Sequence, residues 1–206
     1  MKTIITIQHT QSVHHTNGMV GSWTDWDLTT YGRKQAKRLG KNLSKEFANR
    51  KFVMYSSDLK RAKQTADIIG GYMKISPILT KELRERNLGK CCGKSVEWLK
   101  ENIECQEVSI DDKMFFDAES RRDVLNRLLP FFHKVITSNE ENIIIVSHGD
   151  LLSVFNSMWL GLDVESLNCA EMFGYAGGVS IMLIDDNGKH IIKKLSDMSY
   201  LKNRKG

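Results

Sequence analysis

The sequence predicts an α/β fold, a three-layer α/β/α sandwich around a mostly parallel central sheet. Two observations carry this expectation. Short apolar runs suited to buried strands alternate with stretches of helical periodicity, the pattern of successive β–α units. Two of those runs also end on a histidine: Thr3-Ile4-Ile5-Thr6-Ile7-Gln8 stops at His9, and Ile143-Ile144-Ile145-Val146-Ser147 stops at His148. Open α/β sheets bind ligands at the carboxyl ends of their strands, so both imidazoles fall where chemistry is expected.

Residues 2 to 8 read as the first strand. The polar segment 11–27, with its Gly and Trp residues, is too long for a mere connection and marks a functional loop. Ala36, Leu39, Leu43 and Phe47 fall at helical spacing, predicting a helix over about 30–48 capped by Thr29 or Thr30. A second strand covers 52–55. Leu59, Ala62, Ala66 and Ile69 then predict a helix over 59–69, with Gly70-Gly71 as its left-handed stop. A third strand over 75–79 contains Pro77, which assigns it to a sheet edge. From 80 to 119 periodicity fades, apart from a helix over 96–103 started by Ser95, and a lid-like insertion is expected. Leu125, Leu128, Leu129, Phe132, Val135 and Ile136 predict a helix over 121–138 with a kink at Pro130. Residues 142–147 form a fourth strand and 151–160 a helix. Alternating runs on either side of Asp186-Asn187-Gly188 close the chain with an antiparallel hairpin.

At 206 residues, 41% of them hydrophobic and 27% charged, the chain can bury one substantial core. A single domain over 1–206 with an insertion at about 80–119 is expected, and a disordered chain is excluded. The first apolar run breaks at Gln8-His9, so it is no signal peptide, and no run approaches the roughly 18 apolar residues of a membrane span. A cytoplasmic protein without a membrane partner is expected. Cys91, Cys92, Cys105 and Cys169 form no C-x-x-C pair, which favours reduced thiols over disulfides or zinc. The net charge of +5 suits an anionic ligand, yet the Lys and Arg residues are dispersed, so nucleic acid is not an expected partner. The basic tail 202–206 reads as a solvated terminus. A homodimer is compatible with the composition and not demanded by it.

Downstream of His9 come Trp23-Thr24-Asp25-Trp26-Asp27-Leu28-Thr29-Thr30-Tyr31-Gly32, then Ser56-Ser57-Asp58-Leu59-Lys60-Arg61-Ala62-Lys63-Gln64-Thr65-Ala66, then Leu83-Arg84-Glu85-Arg86-Asn87-Leu88-Gly89, then Ser147-His148-Gly149-Asp150. In order and spacing these blocks resemble the histidine phosphatase superfamily, also called the phosphoglycerate mutase-like family. The resemblance implies that His9 is the nucleophile that accepts the phosphoryl group. It makes His148 the second histidine on a phosphate oxygen, Arg61 the guanidinium clamp, and Glu85 the proton donor and acceptor, with Glu82 the neighbouring alternative. Contacts to phosphate or substrate are expected from Gln8, Thr10, His15, Ser22, Arg86 and Gly149, the last through amides at a helix start. These residue types suit the chemistry. A neutral imidazole attacks phosphorus, cations and N–H donors hold the equatorial oxygens, and an acid protonates the departing alkoxide. No cofactor or metal is implied, because Arg61 and the imidazoles supply the positive charge that Mg²⁺ brings elsewhere.

The departures are informative. The family opens on Arg-His-Gly where this chain has Gln8-His9-Thr10, so one charge-assisted contact is replaced by a neutral amide. Losing such a contact costs about 2–4 kcal/mol of transition-state stabilisation if nothing replaces it. His15, preceded by His14, stands where the family commonly has asparagine, and turned inward it restores positive charge. His9, His14, His15 and His148 also suggest a metal site, but no carboxylate or thiolate accompanies them and adjacent histidines chelate poorly. The expected function is hydrolysis of a small phosphorylated metabolite through phosphohistidine, with low turnover if Gln8 goes uncompensated. The chain's short length favours a phosphatase, since the family's sugar-phosphate mutases generally carry a larger insertion. The alternatives are a phosphoglycerate-type mutase and a degenerate protein that binds a phosphorylated ligand without turnover.

Overall fold

A computed structural model describes residues 1–202. Its centre is a six-stranded sheet built from β1 (Lys2–Gln8), β2 (Val53–Ser57), β3 (Pro77–Thr80), β4 (Asn142–Ser147), β5 (Val179–Ile184) and β6 (His190–Asp197), in the order β3-β2-β4-β1-β5-β6. The first four strands in that order are parallel, while β5 pairs antiparallel with β1 and β6 with β5. The predicted hairpin thus supplies the antiparallel edge, and Pro77 does stand on the opposite edge strand. β1 and β4 run in register from Thr3 opposite Asn142 to Gln8 opposite Ser147. The next residue on each strand is a catalytic candidate, so the two histidines leave the sheet side by side.

Helices cover both faces: α1 (Thr30–Glu46), α2 (Lys60–Met73), α3 (Val96–Asn102), α4 (Arg121–Thr137) and α5 (Gly149–Trp159). Alternate side chains of the central strands point to opposite faces. Ile5, Ile7, Ile144 and Val146 pack with Leu39 and Leu43 of α1 and Ala62, Ala66 and Ile69 of α2. Ile4, Ile143 and Ile145 pack with Leu128, Phe132 and Val135 of α4 and Phe155 and Trp159 of α5. Each such side chain, fully buried, contributes about 1.5–3 kcal/mol. The α4 face differs slightly from expectation: Val124 and Phe131 are buried, whereas Leu129 is 38% exposed, and the helix continues through Pro130.

Gly70-Gly71 does not end α2. Both glycines lie inside the helix and Lys74 takes the left-handed stop at φ 57°. Gly70 is needed for a close approach, since a Cβ there would lie 2.3 Å from the Ile75 carbonyl oxygen. The helix after β4 starts at Gly149, two residues earlier than its apolar pattern, because His148 already occupies the capping position. In the region 80–119, α3 is capped by the Ser95 side chain as expected, and Cys91, Phe115 and Ala118 form a small core with Val20. The insertion is therefore packed against the loop that follows the first histidine. No helix among the described residues is long and apolar enough to cross a membrane. Of the basic tail, residues 203–206 lie outside the described residues.

The start of α1 clamps that same loop. Thr29 caps α1 through Gly32 N and donates its hydroxyl to Gln11 Oε1 at 2.7 Å, and Gln35 Oε1 accepts from Gln11 N at 3.1 Å. Gly32 lets the Gln11 carbonyl approach so closely that a Cβ would sit 1.9 Å from its oxygen. The substitution Gly32→Ala is therefore expected to destabilise the fold by about 1–3 kcal/mol through overpacking, read as a lower midpoint in urea unfolding followed by circular dichroism; an unchanged midpoint would show that the loop is free to retreat.

Candidate active site

Gln8, His9, His14, His15, Ser22, Arg61, Glu85, Arg86, Gly149 and Asp150 border one cavity of about 200 Å³ at the carboxyl ends of β1 and β4. A larger opening of about 600 Å³ lies at the amino ends of the same strands, around Met1, Arg50 and Asn142, and contains no histidine or cysteine. The smaller cavity holds the chemistry.

His9 is 2% exposed, and its backbone N donates to the Ser147 carbonyl at 2.8 Å. Its Nδ1 lies 2.8 Å from the Thr10 carbonyl oxygen, which can only accept, so the ring proton sits on Nδ1. Nε2 therefore offers a lone pair, and Arg61 Nε donates to it at 3.1 Å. Thr10 was expected at the phosphate. Instead its amide and hydroxyl lie 3.2 and 3.3 Å from Thr65 Oγ1, it is fully buried, and it does not border the cavity. It acts on His9 through its carbonyl.

The ring of His148 stands edge-on to that of His9, with centroids 5.1 Å apart. Its Nε2 is 2.8 Å from Ser57 Oγ, a hydroxyl that also accepts from Leu59 N and can face the ring as donor or acceptor. Its Nδ1 is buried without a partner among the described residues. Burial, then the Arg61 charge, holds both His9 and His148 well below the ordinary imidazole value.

Arg61, 1% exposed, donates Nη1 to Thr24 O and Nη2 to Ser22 O, each at 2.8 Å. Burial lowers its pKa to about 10, which leaves it charged at neutral pH. Ser22 sits in the left-handed region at φ 47°, a costly conformation for a residue with a Cβ. Its hydroxyl donates to Arg86 O at 2.7 Å and accepts from Leu88 N at 2.8 Å. Expected as a substrate contact, Ser22 borders the cavity, its hydroxyl tied to Arg86 and Leu88 while its carbonyl aims Arg61.

Glu85 accepts from Arg86 N at 3.0 Å and from the helix-start amides of Leu151 and Asp150 at 3.1 and 3.4 Å. The amides expected at phosphate were those of Gly149 and Asp150: Glu85 already holds that of Asp150, while Gly149 borders the cavity. Burial, then the Asp150 charge, raises the Glu85 pKa, as a proton donor requires. Glu82 is exposed, bonds Thr80 and does not border the cavity. Gln8 does border it, with a buried Oε1 that finds no partner among the described residues. Arg86 is 5% exposed and its charge is paired twice: Glu107 takes Nη1 and Nη2 at 2.6 and 3.2 Å, and Asp150 lies 2.7 Å from Nε without accepting a hydrogen bond from it.

His15 stacks on His9 with centroids 5.4 Å apart and ring planes 8° apart. Its Nδ1 accepts from Ser12 N at 3.3 Å, which leaves the neutral ring's proton on Nε2. His14 bonds Ser12 Oγ through Nδ1 at 2.6 Å, and its Nε2 faces the Gly21 backbone, 2.8 Å from where a Cβ would be. Burial, then His15, lowers the His14 pKa to about 3. The three rings of His9, His14 and His15 each bring one nitrogen within 4.8 Å of the others. A cation fits poorly there, because the Arg61 guanidinium is bonded to His9 Nε2 and no carboxylate joins the set. Reasoning from sequence missed Ser57, Thr65 and Glu107. For Ser57 a signal existed, since a residue at the end of a strand parallel to β4 falls beside His148; Glu107 had none.

The two fully buried imidazoles also tie stability to pH. The unfolded chain takes up protons near the ordinary value of about 6.5 while the folded chain refuses them, so stability is lost as pH falls below 6.5. Each imidazole that stays neutral adds up to about 1.4 kcal/mol per pH unit to this loss, with the raised Glu85 opposing it. Urea unfolding at pH 7 and pH 5 should show a clear drop, and His148→Asn should shrink it; equal slopes in both proteins would contradict the burial argument.

The sequence profile described as "Histidine phosphatase superfamily (branch 1)" matches residues 4–197. Among curated proteins, a 2,3-bisphosphoglycerate-dependent phosphoglycerate mutase of Bartonella bacilliformis is 30% identical over 192 residues, covering 88% of this chain and 91% of that one. A glucosyl-3-phosphoglycerate phosphatase of Mycolicibacterium vanbaalenii is 26% identical over 198 residues, covering 88% and 84%. Among solved structures, Bacillus stearothermophilus YhfR superposes with a TM-score of 0.85 at 24% identity, over 98% of this chain and all of that one. The mutase match corrects the length argument: a relative of that name is spanned almost end to end, so length does not separate mutase from phosphatase. Phosphatases and mutases both stand among the relatives, and by the profile and the mutase match alike the chain belongs to the histidine phosphatase superfamily.

Proposed function

We propose that the protein hydrolyses small phosphomonoesters through a phosphohistidine at His9. The observation that carries this reading is the Nε2 lone pair, held in place by the Thr10 carbonyl and facing Arg61, with the His148 ring and its unpartnered Nδ1 alongside. In the first step Nε2 attacks phosphorus and the P–O bond to the alcohol breaks, with the alkoxide taking the Glu85 proton. In the second, water gives a proton to the Glu85 carboxylate, its oxygen attacks phosphorus, and the N–P bond breaks to release inorganic phosphate. Arg61 Nε and His148 Nδ1–H hold the equatorial oxygens in both steps. These groups supply the positive charge, so no step calls for a metal.

Hydrolysis is favoured over mutase chemistry by the state of Arg86. A mutase must also hold a second anionic group of its substrate, and the other guanidinium on the cavity wall is already paired with Glu107 and Asp150. The mutase reading stays second, supported by the relative at 30% identity. His15 is the residue proposed to offset Gln8: it stacks on the nucleophile, presents Nε2–H, and is open to solvent on its outer side. A bound phosphate dianion favours its protonated form.

Rapidly quenched enzyme turning over a monoester should carry an acid-labile phosphoryl group on His9 by mass spectrometry, with phosphate release unaffected by EDTA; absence of the adduct during turnover overturns the reading, and isomer exchange without net release selects the mutase. Glu85→Gln should slow alkyl phosphates by about 10²–10⁴-fold and p-nitrophenyl phosphate much less, because that leaving group needs little protonation. His15→Ala should cost more activity than His14→Ala, whose Nε2 faces backbone; equal small effects would dispose of the compensation.

A further inference from the structure

We infer that Glu107, carried by the insertion, sets the charge of the cavity's alcohol side and selects phosphomonoesters of neutral, hydroxyl-bearing alcohols. The inference rests on the phosphomonoester reading of the same site and adds the class of alcohol. Arg86 borders the same cavity as Glu85, the side on which an alcohol protonated by Glu85 would leave. Two carboxylates are arranged around that one guanidinium, Glu107 in a forked pair and Asp150 at Nε. Glu107 is not itself on the cavity wall. It takes both terminal nitrogens from the side of the insertion, and its side chain is only 12% exposed. The segment that presents it is preformed: Glu104 N and Cys105 N donate to Met114 O, and Asp112 accepts from Val108 N and Ser109 N.

An incoming carboxylate or second phosphate therefore meets a guanidinium whose charge is already balanced by two carboxylates and faces the Asp150 carboxylate on the wall. A hydroxyl group meets the opposite. Asp150 Oδ1 is buried and accepts no hydrogen bond among the described residues, with Arg121 Nε 3.5 Å away. It is an acceptor open to an alcohol O–H. Like charges at such close quarters are strongly discriminating, while the hydroxyl contact is favourable.

Two probes separate these cases, since glycerol 3-phosphate and 3-phosphoglycerate differ only by a hydroxymethyl group in place of a carboxylate. Their dissociation constants, measured by calorimetry in the non-turning-over His9→Ala protein, should favour glycerol 3-phosphate by about tenfold or more. Adding Glu107→Gln should tighten 3-phosphoglycerate by about tenfold and change glycerol 3-phosphate by less than about threefold, while Glu107→Asp should keep the parent preference. A parent protein that prefers 3-phosphoglycerate overturns the inference, as does a Glu107→Gln variant that shifts both ligands equally. The parent preference needs no second variant, so it decides even if Glu107→Gln fails to fold. These ratios stand apart from the His9 adduct: an unphosphorylated His9 defeats the hydrolase reading while the binding ratio still reports on Glu107.

Discussion

The in-register parallel pairing of β1 with β4 is the constraint on which the site depends. It places Gln8 against Ser147 and continues one residue further through the His9 N–H to the Ser147 carbonyl. Two histidines 139 positions apart in the chain thereby become neighbours with fixed ring orientations. A slip of one residue in either strand would send every alternate apolar side chain to the wrong layer, so the packing of both cores enforces the geometry of the two rings. Stability and chemistry share one register.

A second tier of contacts decides what each ring can do. The Thr10 carbonyl assigns the His9 tautomer, leaving a lone pair on Nε2, and the Ser57 hydroxyl fixes the orientation of the His148 ring. The buried guanidinium of Arg61 is tolerable because the carbonyls of Ser22 and Thr24 replace the water it loses. Those carbonyls belong to the long loop between β1 and α1, which the Thr29-Gly32-Gln35 clamp holds at one end and the insertion packs against at the other. The left-handed backbone of Ser22 lies on the side held by Arg86 and Leu88.

Much of this was legible in the sequence, and the reasons differ by residue. The strands read well because their apolar runs are buried on both faces, and the two terminal histidines were conspicuous against them. Arg61, Glu85 and His148 were found through motif blocks; Arg61 and Glu85 border the cavity, and His148 is fully buried with its ring 5.1 Å from that of His9. Thr10 and Ser22 show what a motif leaves open: it reports that a residue is near the site without saying whether its side chain, its carbonyl or its amide faces it, and both residues orient a catalytic candidate through their carbonyls. Gly70 misled in a similar way, as a close approach to the Ile75 carbonyl looks the same in sequence as a helix stop. Glu107 was out of reach because its partner is 21 residues away across an aperiodic segment.

The contact between Arg61 Nε and His9 Nε2 bears on the nucleophile proposed above. A cationic donor on that nitrogen draws electron density from the ring, so under the proposed mechanism the lone pair becomes free only as an anionic phosphoryl group takes over the guanidinium. Binding the anion and releasing the nucleophile are then a single exchange of partners, and a neutral electrophile, which offers the guanidinium nothing, finds the nitrogen covered.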